Sequence, residues 1–194
     1  MSDFKGILAA VEKHISLNDM ERGAFLSALS SQTIKTGEFI ARAGEPSQHF
    51  IFVSSGCLMS YFTDPDGVER VMQFATAGWW TGDLHSFTNS VPSIYSTRAL
   101  VDSELFLLTK VDMEAFLEKV PKFERYFRIL YQNSLVAHQH RLIQAYSATA
   151  EDRYQTFREK FSSLEQYVPQ KYIASYLGIT PEFLSKIRRR LMEK

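Results

Sequence analysis

Near its C-terminal end the chain places Glu182, Ser185, Lys186 and Arg189 within eight residues: a carboxylate acceptor, a hydroxyl and two cations. At about 100° per residue of helix these four share one face, while Leu184, Ile187 and Leu191 share the other. Such groups on an exposed helix face can bond base edges and phosphates in a DNA major groove. Cations also suit any solvated helix C-terminus, so the run Lys186–Arg190 does not establish a nucleic-acid contact by itself.

The frame around those residues adds the missing specificity. Thr180 is placed to cap a helix that opens at Pro181, with Glu182 in its positive first turn. A preceding short helix opens at Pro169 and stops at Gly178, a residue free to adopt the left-handed conformation of a helix end. Ile173 and Leu177 keep helical spacing within it, and Ala174 is small where two helices cross closely. Two short capped helices joined by a glycine turn form a helix-turn-helix.

The run Ile173-Ala174-x-x-Leu177-Gly178-x-Thr180-x-Glu182-x-Leu184-Ser185-Lys186 resembles the helix-turn-helix of the Crp/Fnr family of bacterial transcription regulators. The resemblance implies that Glu182, Ser185 and Lys186 read base edges and that the chain binds a double-stranded DNA operator as a homodimer. RNA polymerase is a further partner it implies. An arginine is more usual at Lys186, and Pro181 replaces another frequent arginine, so a different operator sequence is expected. No β-hairpin wing is expected beyond Leu191. Phosphate contacts then fall to Arg189 and to the Gln170 end of the first motif helix.

Charge distribution agrees with a basic module on a different body. The 194 residues carry zero formal net charge, but residues 168–194 hold six cations against two carboxylates, a net +4 that leaves −4 on the remainder. Apolar content of 45% and charged content of 23% are ordinary for a globular protein. Cys57 is the only cysteine, so one chain can form no disulfide, zinc cluster or iron–sulfur cage. Met1–Lys5 lack a signal sequence and no apolar run reaches membrane-spanning length, so a cytoplasmic location and no membrane partner are expected.

Taken in order, residues 3–14 and 18–30 read as helices, the second capped by Asn18. From Gln32 to Leu108, glycines recur at strand-plus-turn intervals between the β-rich runs Glu38–Ala41, Phe50–Val53, Leu58–Phe62, Val68–Phe74, Thr97–Val101 and Leu105–Leu108. Asp64-Pro65-Asp66-Gly67 signals a hairpin. An antiparallel β-roll or jelly roll follows. Gly37-Glu38-x-Ile40, Gly44-Glu45 and Ser55-Gly56 resemble the same family's cyclic-nucleotide-binding roll. The expected class is α+β, with the roll and its flanking helices at 1–121, a long helix at 122–147 and an all-α helix-turn-helix unit at 148–194.

Within the roll the resemblance marks an effector pocket at Gly82, Asp83, Leu84, His85, Tyr95, Ser96 and Thr97. Cyclic-nucleotide-binding members place a ribose-binding glutamate where Asp83 stands, and the phosphate-pairing arginine falls at Ser93. A cyclic phosphate buried without its cation lacks a charge-assisted pair. Cyclic AMP is therefore not expected to bind. The cavity is open to another small effector walled by Trp79, Trp80, Phe87 and Tyr95, or is filled by those rings.

The long helix carries two apolar stripes, Phe123/Phe127/Leu130/Ala137 and Tyr131/Leu135/His138/Leu142/Ala145. One helix with two seams can pack on its own roll and on a second copy. Phe127, Leu130, Tyr131, Leu135, His138 and Leu142 are the expected dimer-helix residues. Two other readings compete: an effector module acting through protein partners, and a cupin-like metalloprotein. Metal binding is disfavoured because His49 and His85 are the roll's only histidines, and His138 and His140 point about 160° apart on a helix. No nucleophile motif or phosphate-binding loop appears, and no enzyme activity or resident metal is expected.

Overall fold

The computed structural model describes residues 4–192. Met1–Asp3 lie outside the described residues, as do Glu193 and Lys194, two of the charges counted above. The chain runs α1 (Lys5–Glu12), α2 (Asp19–Ser27), β1 (Ser30–Ile34), β2 (Phe39–Ala41), β3 (His49–Thr63), β4 (Glu69–Thr76), β5 (Trp80–Thr81), α3 (Leu84–Asn89) and β6 (Ser96–Thr109). Then follow α4 (Lys110–Lys119), α5 (Lys122–Ser147), α6 (Ala150–Lys160), α7 (Gln170–Leu177) and α8 (Pro181–Met192). The expected α+β class, with an antiparallel sheet and a helical C-terminal region, is observed. Asn18 caps α2 with a full capping box. Asp64 Oδ1 accepts the N–H groups of Asp66 and Val68 in the expected hairpin turn.

The sheet is antiparallel in the order β1-β6-β3-β4, with β2 added on β6 and β5 on β3. Two pairs of expected short strands are in fact two long ones, β3 and β6, each continuous through what reads as a turn. Their shared register shifts between Val53 and Leu58. That irregularity exchanges the two faces, because side chains alternate along a strand and one extra residue inverts the alternation. Before it, Ile51 and Val53 join one buried cluster and Phe50 and Phe52 another. After it, Leu58 remains with the first cluster, whereas Cys57, Met59 and Tyr61 turn toward the C-terminal helices. Gly56 makes the shift possible. Its φ is +93°, and a Cβ there would lie 2.2 Å from Ser103 Oγ and 2.6 Å from the Asp102 carbonyl oxygen.

Three buried clusters result. Leu58, Ala75, Ala99, Leu105 and Leu107 fill the sheet's own concavity. Phe50, Phe52, Phe106 and Leu108 pack under α1, α2, α4 and the first half of α5. The third cluster joins β3 and β4 to the helix-turn-helix through Met59, Val71 and Phe74 on one side and Tyr154, Phe157, Leu164 and Ile173 on the other.

Candidate nucleic-acid interface, effector pocket and dimer helix

α7 and α8 have the expected frame. Gly178 adopts φ +68°, and the Ile179 N–H reaches back to Ala174 O at 3.0 Å, closing α7. Thr180 Oγ1 accepts the Phe183 N–H at 3.2 Å, capping α8. Ile173, Ala174, Leu177, Leu184 and Ile187 are buried, while Gln170, Thr180, Glu182, Ser185, Lys186 and Arg189 are all exposed. The Glu182 carboxyl is held below its usual range by its own backbone N–H and then by the Thr180 hydroxyl, so α8 presents it ionised at neutral pH. Pro169 sits one position before α7, as its N-cap.

The motif is not free of the roll. β4 is an edge strand, and side chains from the C-terminal half occupy its open backbone groups. Ser175 Oγ accepts the Val71 N–H and donates to Glu69 O, each at 2.9 Å. Arg141 donates to the carbonyls of Met72, Val71 and Tyr176, and its guanidinium lies 4.2 Å from the centre of the Tyr176 ring. Arg98 pairs with Glu69 at 2.7 Å and donates to Tyr172 OH at 2.7 Å. Arg141, Tyr172 and Ser175 were not singled out in the sequence as binding elements. Trp79, expected as a pocket wall, faces this seam instead, 5.7 Å from Phe161 and under the Lys160 ammonium.

Of the expected effector residues, Asp83 and Tyr95 meet through Ser93, and the others have separate surroundings. Asp83 caps α3, its Oδ1 accepting the Ser86 N–H at 3.1 Å. Its Oδ2 accepts the Ser93 hydroxyl at 2.8 Å, and Ser93 Oγ in turn accepts the Tyr95 N–H at 3.0 Å. Thr97 pairs with Ser60 at 2.8 Å, both buried, and Ser96 Oγ accepts the Ala43 N–H. Burial, then the Asp83 charge, pushes the Tyr95 phenol up. Gly82 has φ +146°, and a Cβ there would approach His49 O to 3.3 Å. Leu84 and His85 are exposed, His85 Nδ1 lying 3.1 Å from Asn89 Nδ2. Trp80 stacks on Phe50 at 4.7 Å and donates to Tyr126 OH at 2.9 Å, while Phe87 lies 6.1 Å from Phe50. These rings fill the space between sheet and α5. Of two surface hollows, one of about 350 Å³ is lined by none of these residues, and one of about 370 Å³ takes only Phe87 from them, beside residues such as His49 and Lys110.

On α5, Phe123, Phe127 and Leu130 of the first expected stripe pack inward, and Leu135, His138, Leu142 and Ala145 of the second are exposed. Tyr131, however, packs on the core and Ala137 does not. Phe123, Tyr126 and Phe127 are buried on the chain's own core, and Leu130 and Tyr131 pack against it. Phe127 is 2% exposed, so its side chain is not offered to a second copy. Leu135, Val136, Leu142, Ile143 and Tyr146 are exposed, Tyr146 to 85%. At about 100° per residue Val136 and Ile143 lie roughly opposite the packed face, and Leu135 and Leu142 lie on its flank beside Tyr131. Val136, Ile143 and Tyr146 were absent from the expected seam. His138 is exposed at its flank, with Nδ1 2.9 Å from Ser134 O. Among the described residues no helix is long and apolar enough to cross a membrane.

Residues 31–120 match the family model of the cyclic nucleotide-binding domain. The transcriptional activator protein Anr of Pseudomonas aeruginosa is 23% identical over 171 residues, covering 82% of this chain and 69% of its own. Two solved structures share the fold. FixK2 from Bradyrhizobium japonicum superposes with a TM-score of 0.72 at 18% identity over 85% of each chain. The catabolite activator protein of Thermus thermophilus gives 0.57 at 22% identity, over 92% of this chain and 85% of its own. The domain match and these two structures show that the chain shares their fold.

Proposed function

We propose that this chain is a homodimeric, sequence-specific regulator of transcription of the Crp/Fnr type. It divides into a roll with flanking helices (1–121), a dimerisation helix (122–147) and a DNA-binding unit (148–194). The observation that carries the reading is the partition of α8: Leu184 and Ile187 are buried, and Glu182, Ser185, Lys186 and Arg189 are all offered to solvent. Relatives described as transcription regulators support it, as does the family's habit of binding DNA as dimers. Its partners are then an operator, a second copy and RNA polymerase, its place is the cytoplasm, and it performs no catalysis.

Lys186 meets base edges in this reading, whereas Arg189, a turn later, meets phosphate. Lys186→Ala should narrow the gap between operator and scrambled DNA by roughly 1–3 kcal/mol. Arg189→Ala should weaken both DNAs comparably and shallow the salt dependence by about one counterion. The operator comes from selecting genomic fragments with the purified protein, followed by titrations at several salt concentrations. Equal losses on both DNAs for Lys186→Ala would move that residue to the phosphate class; no enriched sequence at all would overturn the reading.

The roll acts as a scaffold that does not take cyclic AMP. Ser93 stands where the cation is needed, and it holds Asp83 on itself. A bound cyclic phosphate would sit near this carboxylate, with a serine at the position of its cation. Calorimetric titration with cyclic AMP to millimolar concentration should show no saturable heat and leave operator affinity unchanged. Micromolar binding would refute the scaffold reading and identify an effector.

A further inference from the structure

Phe183 is a large apolar side chain, 43% exposed, in the first turn of the helix proposed to enter the groove. It takes part in none of the described ring pairs, and it is not among the residues packed on the cluster beneath α8. Its backbone is nonetheless fixed, since its N–H donates to Thr180 Oγ1. At about 100° per residue it lies about 60° from Lys186 and about 20° from Arg190 around the axis. It also lies about 40° from buried Ile187, so the ring sits at the boundary between the buried stripe and the exposed arc, with the residue still 43% exposed. A ring with only two side-chain torsions loses little freedom when it is covered, and the group in a major groove that rewards apolar contact is the thymine C5-methyl.

Building on the DNA-binding reading above, we infer that Phe183 is a specificity determinant that recognises a thymine methyl group at the operator position facing the first turn of α8. The basic groups beside it bring the backbone close, and the ring distinguishes thymine from the other bases there. A protein partner is the competing occupant of the same patch. The cations nearest the ring, Lys186 and Arg190 (the latter also paired with Glu151 at 3.5 Å), favour a polyanion.

The test uses the full chain and the operator it selects, with thymines replaced singly by uracil, which removes the methyl group and keeps the Watson–Crick edge. For the wild type, one such replacement should weaken binding about three- to tenfold, the worth of one buried methyl to a little more. Phe183→Ala should bind the thymine operator more weakly by a similar factor and show no further loss at that uracil. A wild type that binds its operator specifically but shows no uracil coupled to residue 183 overturns this inference and leaves the DNA-binding reading intact. Phe183→Ala binding every DNA like the wild type, with an unchanged melting temperature, also overturns it and assigns the ring to a protein partner. Failure of the wild type to select any operator removes the reading on which the inference rests.

Discussion

Leu142→Glu should convert the protein from dimer to monomer in sedimentation at micromolar concentration, and Leu135→Glu should do the same. Both leucines are exposed in the single chain, on the flank of α5 beside Tyr131 and about 100–120° around the axis from buried Phe123. Exposed apolar residues over three turns of a helix that already buries another face call for a partner surface. In a two-fold pair each copy would bring one carboxylate into the seam, at an effective cost of several kcal/mol per ion. Self-association should weaken by about a hundredfold or more. The monomer keeps one helix-turn-helix and loses the second half-site, so operator affinity should fall by about 10²–10⁴. Its melting temperature extrapolated to low concentration should barely move, because in one chain the new carboxylate is solvated. An unchanged sedimentation coefficient would place the seam elsewhere.

How far sequence could reach depended on whether a feature was local. The helix-turn-helix was legible because its caps and turn lie within a few residues: Gly178 must be left-handed, Thr180 caps three residues ahead, and the apolar stripe follows the helical period. The Asp64–Gly67 hairpin was legible for the same reason. β1 was not, because Ser30-Ser31-Gln32-Thr33 is polar and becomes a strand only through pairing with β6 from Leu107 to Ser103. β3 and β6 read as four strands because Ser54–Gly56 and Asp102–Ser103 have turn composition, while their actual conformation is a register shift between long partners. α3 was hidden in a cassette read only by resemblance. α5 misled by its mixed periodicity: the face a partner can use was decided by what the roll had already covered, which places Phe127 inside and leaves Tyr146 out. The seam on β4 had no periodic signal, since Arg141 and Ser175 act across long sequence separations on backbone groups.

That seam yields the second large effect. Phe74→Ala should destabilise the whole protein by about 3–5 kcal/mol, through lost burial and the cavity left behind. Phe74 lies on the edge strand, fully buried, with its ring 5.3 Å from Tyr176 and 6.2 Å from both Phe157 and Phe161. Three of the four rings belong to the C-terminal helices, so the variant should loosen one half from the other as well as weaken each. The polar contacts alone should not hold the seam. Without the ring they become solvated, and a hydrogen bond in water contributes only about 0.5–1.5 kcal/mol net. The wild type should therefore melt in one cooperative transition, with the roll and the helix-turn-helix unfolding together. Phe74→Ala should melt roughly 6–20 °C lower, by the usual scaling for a chain of this size, and should resolve into two transitions. Limited proteolysis of the variant should open near Ala148, where α5 ends in extended backbone. Scanning calorimetry with a protease time course measures both. Two separate transitions already present in the wild type, with Phe74→Ala lowering only the one that belongs to the roll, would show that the halves fold independently and that this aromatic cluster is a contact, not a shared core.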